Sequence, residues 1–289
     1  MKYKKSIIVA IIFIVAFIGI TIVKYGGNSI NTSTAVDTIK SDSIQQFWFY
    51  YNTASDFRLQ GAADSAFRYY QEALNINPKH EDALYYIGNM FMNSDKNELA
   101  LSSWNKLTEI NPQSERAFIQ LGNLYFSINK PAYFHPEKSK SYFEKAANLN
   151  KETLSPNLKL GEIALFQNHT NEAFDIFNKL SIMDQKNAEI YFIIGYLNWQ
   201  SGNEMNAIKN LDRTFEIGIA ASAITEQGEK TNAIKTESII KKKDSNLFMN
   251  WLVENLLVIK KHDTKTEMPK VYQNFDQYLN SYRKQLNNK

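Results

Sequence analysis

A 34-residue period runs through the middle of this chain. Gly88 and Gly122 are 34 positions apart, as are Gly161 and Gly195, Pro78 and Pro112, and Ala66 and Ala100. A unit this short cannot enclose a core alone and must share one with its neighbours, so the period constrains the fold more than any bulk property. The segments around the glycines align: Ala83–Phe91 (ALYYIGNMF), Ala117–Tyr125 (AFIQLGNLY), Asn157–Ala164 (NLKLGEIA) and Ile190–Asn198 (IYFIIGYLN). A second pattern follows each in Ala66–Pro78, Ala100–Pro112 and Ser139–Asn150. Leu84, Ile87, Gly88 and Phe91 fall on one stripe of a 3.6-residue helix. A glycine in that stripe lets a partner helix approach closely, where a bulky residue would hold the axes apart. Gly61 and Gly202 lie between helices as turn residues, and Pro78 and Pro112 mark unit ends.

The arrangement resembles the tetratricopeptide repeat. Leu84, Ile87, Gly88, Phe91, Ala100, Trp104, Leu107 and Pro112 match its bulky, glycine, aromatic and small positions, and Tyr50, Thr53, Ala54, Phe57, Ala66, Tyr70, Ala73 and Pro78 match them one unit earlier. The resemblance implies an all-α solenoid of about five helix-turn-helix units, near 47–80, 81–114, 115–153, 154–187 and 188–221. Departures occur. Unit three carries extra residues around Pro131–Pro136, unit four has Gln185 in place of the final proline, and unit five has Asn198 and Thr214 at apolar or small positions. Residues 222–289 are expected to form C-terminal helices capping the stack. One is predicted over Asn246–Lys261, another opens at Pro269 with Val271, Phe275, Tyr278, Leu279, Tyr282 and Leu286 as its stripe, and an irregular helix falls in Ala220–Lys243.

The N-terminus differs in kind. Ser6–Val23 is an uncharged apolar run preceded by Lys2, Lys4 and Lys5. As a helix it spans roughly 27 Å, close to the hydrocarbon thickness of a bilayer. Residues 1–23 are therefore predicted as a single transmembrane anchor with a cytoplasmic N-terminus and the repeats on the periplasmic or extracytoplasmic side of the inner membrane. A cleaved signal peptide is the competing reading, although the run is long for one and lacks a small-residue cleavage site. Residues 24–46, rich in Gly, Asn, Ser and Thr, are predicted to be a flexible tether.

The 289 residues contain no cysteine, which removes disulfides, thiolate catalysis and Cys-ligated zinc. A net charge of +3 does not suggest nucleic-acid binding. Residues 47–221 carry 16 Lys/Arg against 20 Asp/Glu, and residues 222–289 carry 12 against 8; this basic tail reads as solvated helix ends. No phosphate loop, metal-binding pair or nucleophile elbow is present, and His80, His135, His169 and His262 are scattered. The chain is read as a non-enzyme, with no cofactor, metal or small-molecule substrate.

Binding is the stronger expectation. The resemblance implies that first helices line a concave groove, and stepping along them gives Trp48, Tyr51, Tyr85, Asn89, Asn123, Phe126, Phe192, Tyr196 and Trp199 as candidate contacts for protein or peptide segments. Aromatic side chains give large contact area at low entropy cost. Asn89 and Asn123 follow their unit's glycine, where asparagine holds a ligand backbone in peptide-binding relatives. Packing between first helices or beneath the C-terminal helices is the alternative role for the aromatics. The Lys–Asn clamp for C-terminal carboxylates is absent: of its positions only Arg116 fits. The leading function is a membrane-tethered scaffold mediating protein–protein interactions at the cell envelope, as an assembly or recruitment factor. The alternatives are a periplasmic holdase and an enzyme accessory subunit.

Overall fold

The computed structural model describes residues 32–228, 251–252 and 264–287, with side chains placed for 41–217, 251–252 and 264–284. Among them are eleven helices and no strand. They are α1 (Thr32–Leu59), α2 (Ala63–Ile76), α3 (Glu81–Asn93), α4 (Asn97–Ile110), α5 (Glu115–Tyr125), α6 (Pro136–Leu149), α7 (Leu154–Phe166), α8 (Thr170–Met183), α9 (Ala188–Gln200), α10 (Glu204–Gly228) and α11 (Thr264–Asn287). Two compact units divide the chain, Met1–Ala83 and Leu84–Lys289, with the division inside α3.

In the first unit α1 and α2 pair across a tight turn at Gly61, whose φ of +77° is the left-handed conformation glycine adopts freely. Ala54 takes the place that glycine holds elsewhere, and Ala66, Tyr70 and Ala73 form the buried stripe of α2. The Tyr70 hydroxyl is 3.1 Å from Ser55 Oγ and accepts from Arg58 Nε at 3.3 Å. Helix α1 begins at Thr32, so residues 32–46 of the expected flexible tether are helical, and residues 24–31 lie outside the described residues. Extending an existing helix adds one hydrogen bond per residue fixed, so the packed turns from Phe47 onward nucleate the polar turns before them.

In the second unit each second helix packs on the first helix of its own pair and on that of the next pair, giving α5–α6, α7–α8 and α9–α10 as successive pairs of a solenoid. The glycines explain themselves here. A Cβ on Gly88 would stand 2.4 Å from the Trp104 ring nitrogen, one on Gly122 2.8 Å from the Phe143 ring, and one on Gly161 2.8 Å from the Phe177 ring. All three aromatics are fully buried, each on the second helix of the same pair. The small position one turn earlier completes the approach: Ser139 Oγ donates to the Gly122 carbonyl at 2.8 Å.

The fifth pair departs from this rule. Leu211 stands where Trp104, Phe143 and Phe177 stand in theirs, and the ring over Gly195 comes instead from Tyr272 of α11. A Cβ on Gly195 would lie 2.0 Å from the Tyr272 hydroxyl, which itself donates to the Ala207 carbonyl at 3.3 Å. The C-terminal helix thus supplies from outside the aromatic that α10 lacks.

Turns repeat with the helices. Gly61, Asp95, Asn168 and Gly202 all have positive φ between first and second helices, residue types that tolerate this region. In the third pair the added residues replace that turn, with His135 N donating to Tyr125 O at 2.8 Å and Lys130 paired with Asp95. At the ends of second helices, Asn77, Asn111, Asn150 and Asp184 each accept a backbone N–H two residues on through Oδ1, at 2.9–3.2 Å. This side-chain turn works with or without a following proline, which is why Gln185 is tolerated. The polar exceptions are satisfied locally: Asn198 Nδ2 donates to Ile194 O at 2.8 Å and Thr214 Oγ1 to Asn210 O at 2.9 Å.

Two boundaries are corrected. Helix α10 continues to Gly228, past the expected array end at 221. Helix α11 starts at Thr264, so Pro269 sits inside it rather than opening it. The first turns are held by Thr264 Oγ1 donating to Asp212 and by Met268 in the core, which offsets the backbone hydrogen bond that Pro269 cannot donate. Trp251 and Leu252, from the predicted Asn246–Lys261 helix, are helical and buried, and the rest of that segment lies outside the described residues. The anchor segment Ser6–Val23 also lies outside them. Among the described residues no helix is long and apolar enough to cross a membrane.

Two outcomes are expected. Gly122→Leu, which drives a side chain into Phe143, should cost about 1–3 kcal/mol or more, read as a lower midpoint in denaturant titration. Tyr272→Ala should cost about 3–5 kcal/mol by emptying the space over Gly195, whereas Tyr272→Phe should lose only the hydroxyl hydrogen bond, about 1 kcal/mol.

Candidate functional site

The candidate contacts separate into three groups. In the first unit Trp48 is exposed and Tyr51 half-buried, in an aromatic group with Phe47 and His80. Tyr51 Oη donates to Asp82 Oδ2 at 3.4 Å, and His80 Nδ1 accepts from Ala83 N at 3.3 Å, capping α3.

Tyr85, Asn89 and Asn123 are half-buried on the first helices α3 and α5 of the second unit. The two helices present their side chains together. Gln120 Nε2 donates to the Tyr85 hydroxyl at 3.3 Å, and the Arg116 guanidinium stands 4.6 Å above the Tyr85 ring. The ring quadrupole attracts such a cation, and Tyr86 meets the same ring at 5.3 Å. Asn89 Oδ1 is buried and accepts no hydrogen bond, an unsatisfied acceptor of the kind that costs about 1–3 kcal/mol. In the sequence Arg116 falls at a groove position as well as at a carboxylate-clamp position, and Gln120 at a clamp position. Their pairing with Tyr85 crosses two units and follows from stacking, which periodicity alone does not specify.

Three of the remaining candidates, Phe126, Phe192 and Tyr196, are buried. Phe126 is 5 % exposed, closed in by Phe134 of the inserted loop and by Phe166. Phe192 and Tyr196 are 0 % exposed, so the expectation that they stand open with Trp199 does not hold. Phe192 meets Trp251, Tyr272 and Phe275 at 5.0–5.4 Å, and Tyr196 meets Phe275 at 4.9 Å. Trp199 is half-buried, 6.0 Å from both Tyr196 and Tyr272. The physical reason is the stripe of α11: Val271, Tyr272, Phe275 and Leu279 are buried against this face. Polar contacts fix its register. Tyr196 Oη donates to Asp276 at 2.6 Å, and Arg283 donates to the terminal carbonyls of α7, Leu165 at 2.6 Å and Phe166 at 2.8 Å. Burial, then the Asp276 carboxylate, push the Tyr196 phenol well above the usual range.

Beneath this region lies a buried ion pair, Lys159 Nζ at 2.8 and 2.7 Å from the two Glu162 oxygens. Burial raises the Glu162 carboxyl above the usual carboxylate range, opposed by Lys159 and by a hydrogen bond with Glu189. All three are buried, so they present no accessible surface. Among the described residues no three His, Asp or Glu side chains cluster as metal ligands.

With that geometry in view, residues 82–114 match the family model of the tetratricopeptide repeat. No curated protein matches the chain. Among solved structures, it is similar to MamA at 20 % identity and TM-score 0.52, over 59 % of this chain and 96 % of that one. YrrB, described as a tetratricopeptide-repeat protein with an unusual peptide-binding site, aligns at 19 % identity and TM-score 0.50, over 66 % and 93 %. PilF of Pseudomonas aeruginosa aligns at 16 % identity and TM-score 0.50, over 64 % and 86 %. At such identities the likeness is one of fold, and the fold is that of a tetratricopeptide-repeat array.

Proposed function

We propose that the chain is a membrane-tethered scaffold that captures protein or peptide segments on the first-helix face of α3 and α5. The observation that carries this reading is the half-open group of Tyr85, Asn89, Arg116, Gln120 and Asn123. It combines an aromatic plane with amide side chains that each offer a donor and an acceptor, the complement of an extended peptide backbone. An incoming amide N–H would satisfy the Asn89 oxygen once that side chain turns outward. A peptide-binding structural neighbour, YrrB, is consistent with partners of this class. The face over α9 is a poor second site, because α11 already covers it.

The tether belongs to the same proposal. Ser6–Val23 is uncharged and long enough to span, and three lysines precede it. The array then works from the extracytoplasmic side of the inner membrane, recruiting envelope proteins without catalysing a reaction.

Two experiments test these statements. Tyr85→Ala should weaken capture of stoichiometric partners by roughly thirtyfold, the loss of about 2 kcal/mol typical of an aromatic anchor, with helical content retained. Partner capture at wild-type strength by a folded Tyr85→Ala protein would remove this face as the site. A periplasm-dependent reporter fused after Lys289 should be active and the intact chain should resist carbonate extraction; activity of a cytoplasm-only reporter in that position would reverse the orientation.

A further inference from the structure

Two carboxyl groups meet in the interior of the second unit. Glu162 of α7 is 0 % exposed, Glu189 of α9 is 2 % exposed, and a hydrogen bond joins them. Two ionised carboxylates offer only acceptors, so such a bond exists only when one of the pair carries a proton. Without that proton, like charges would lie side by side in a medium that screens them poorly. Lys159, itself 8 % exposed, holds both oxygens of Glu162 at 2.8 and 2.7 Å and fixes that carboxyl in place.

We propose that Glu162 and Glu189 hold one proton between them, and that this proton makes the junction of α7 with α9 sensitive to pH. On α7 the charge facing Glu162 is Lys159, and on α9 it is Glu189. From α11, Arg283 reaches the Leu165 and Phe166 carbonyls and Asp276 accepts from the Tyr196 hydroxyl, so each is engaged elsewhere. From α6 and α8, Lys140 pairs with Glu172, and Glu137 accepts from Gln167. Burial is the larger influence on Glu162 and holds its carboxyl above the usual carboxylate range. The unfolded chain releases that proton at about pH 4.3, whereas the folded chain keeps it to higher pH. Folding is therefore favoured as pH falls, fully so below the unfolded value, and the advantage is lost as pH rises through the folded one. Helix α11 rests on both sides of the junction, through Arg283 on α7 and Phe275 on Phe192 of α9. The cover over the last first helices is thus seated most firmly at low pH.

Infrared spectroscopy of the full chain in detergent tests this. A protonated carboxyl has a carbonyl stretch that a carboxylate lacks, and at neutral pH an exposed Asp or Glu is ionised. Wild type should show the protonated band at neutral pH. Glu189→Gln should lose it at unchanged helical content, because a Gln amide donates to the Glu162 carboxylate with no added proton. Urea titrations from mildly acid to mildly alkaline pH give a second readout. Relative to Glu189→Gln, the wild-type folding equilibrium constant should fall with rising pH by up to about tenfold per pH unit, the limit for release of one proton. Glu162→Gln serves as the second variant, and the wild-type band decides the matter if neither variant folds. A wild-type chain without the band, a band that survives in Glu189→Gln, or parallel pH dependence in the two proteins overturns the inference.

Discussion

The contact between a helix backbone at glycine and a buried aromatic ring organises the second unit. At Gly88, Gly122 and Gly161 a ring from the second helix of the pair lies where a Cβ would be, so the two helices approach as far as their atoms permit. Everything stacked on those pairs inherits that spacing. A close-packed interior transmits such local geometry, because it has no free volume in which to absorb a displaced helix.

The fifth pair shows what the contact demands when sequence does not provide it. Leu211 is too small to cover Gly195, and Tyr272 arrives from α11 to do so. The helix that delivers this ring must lie across the first-helix face of the last pair, and it brings Phe275 onto Phe192 and Tyr196. Repair of a packing defect and closure of one part of the binding face are thus a single event. The open part of that face is left to α3 and α5, where Arg116 and Gln120 hold Tyr85 in place.

Legibility differed by element. Helix pairs, glycine stripes and the inserted loop were readable because each repeats at a fixed spacing that a linear sequence displays. The Asx turns at Asn77, Asn111, Asn150 and Asp184 repeat in the same register, whereas the prolines beside the first two give way to Lys151 and Gln185. Aromatic residues at groove positions were harder. Tyr85 and Phe192 have the same residue class and similar helical places, but one is half-open and the other closed. The difference comes from α11, a helix about 80 residues away in sequence from the face it covers.

By itself, the sequence determined the helical class, the register of the pairs and the need for close approach at each glycine. These follow from local periodicity and from sterics within one unit, which operate over a few residues or one repeat. Only the tertiary structure decided which aromatics are core and which are surface. Burial is a property of every element that meets at a point, and α11, the inserted loop and the neighbouring first helices each arrive at those points from distant parts of the chain.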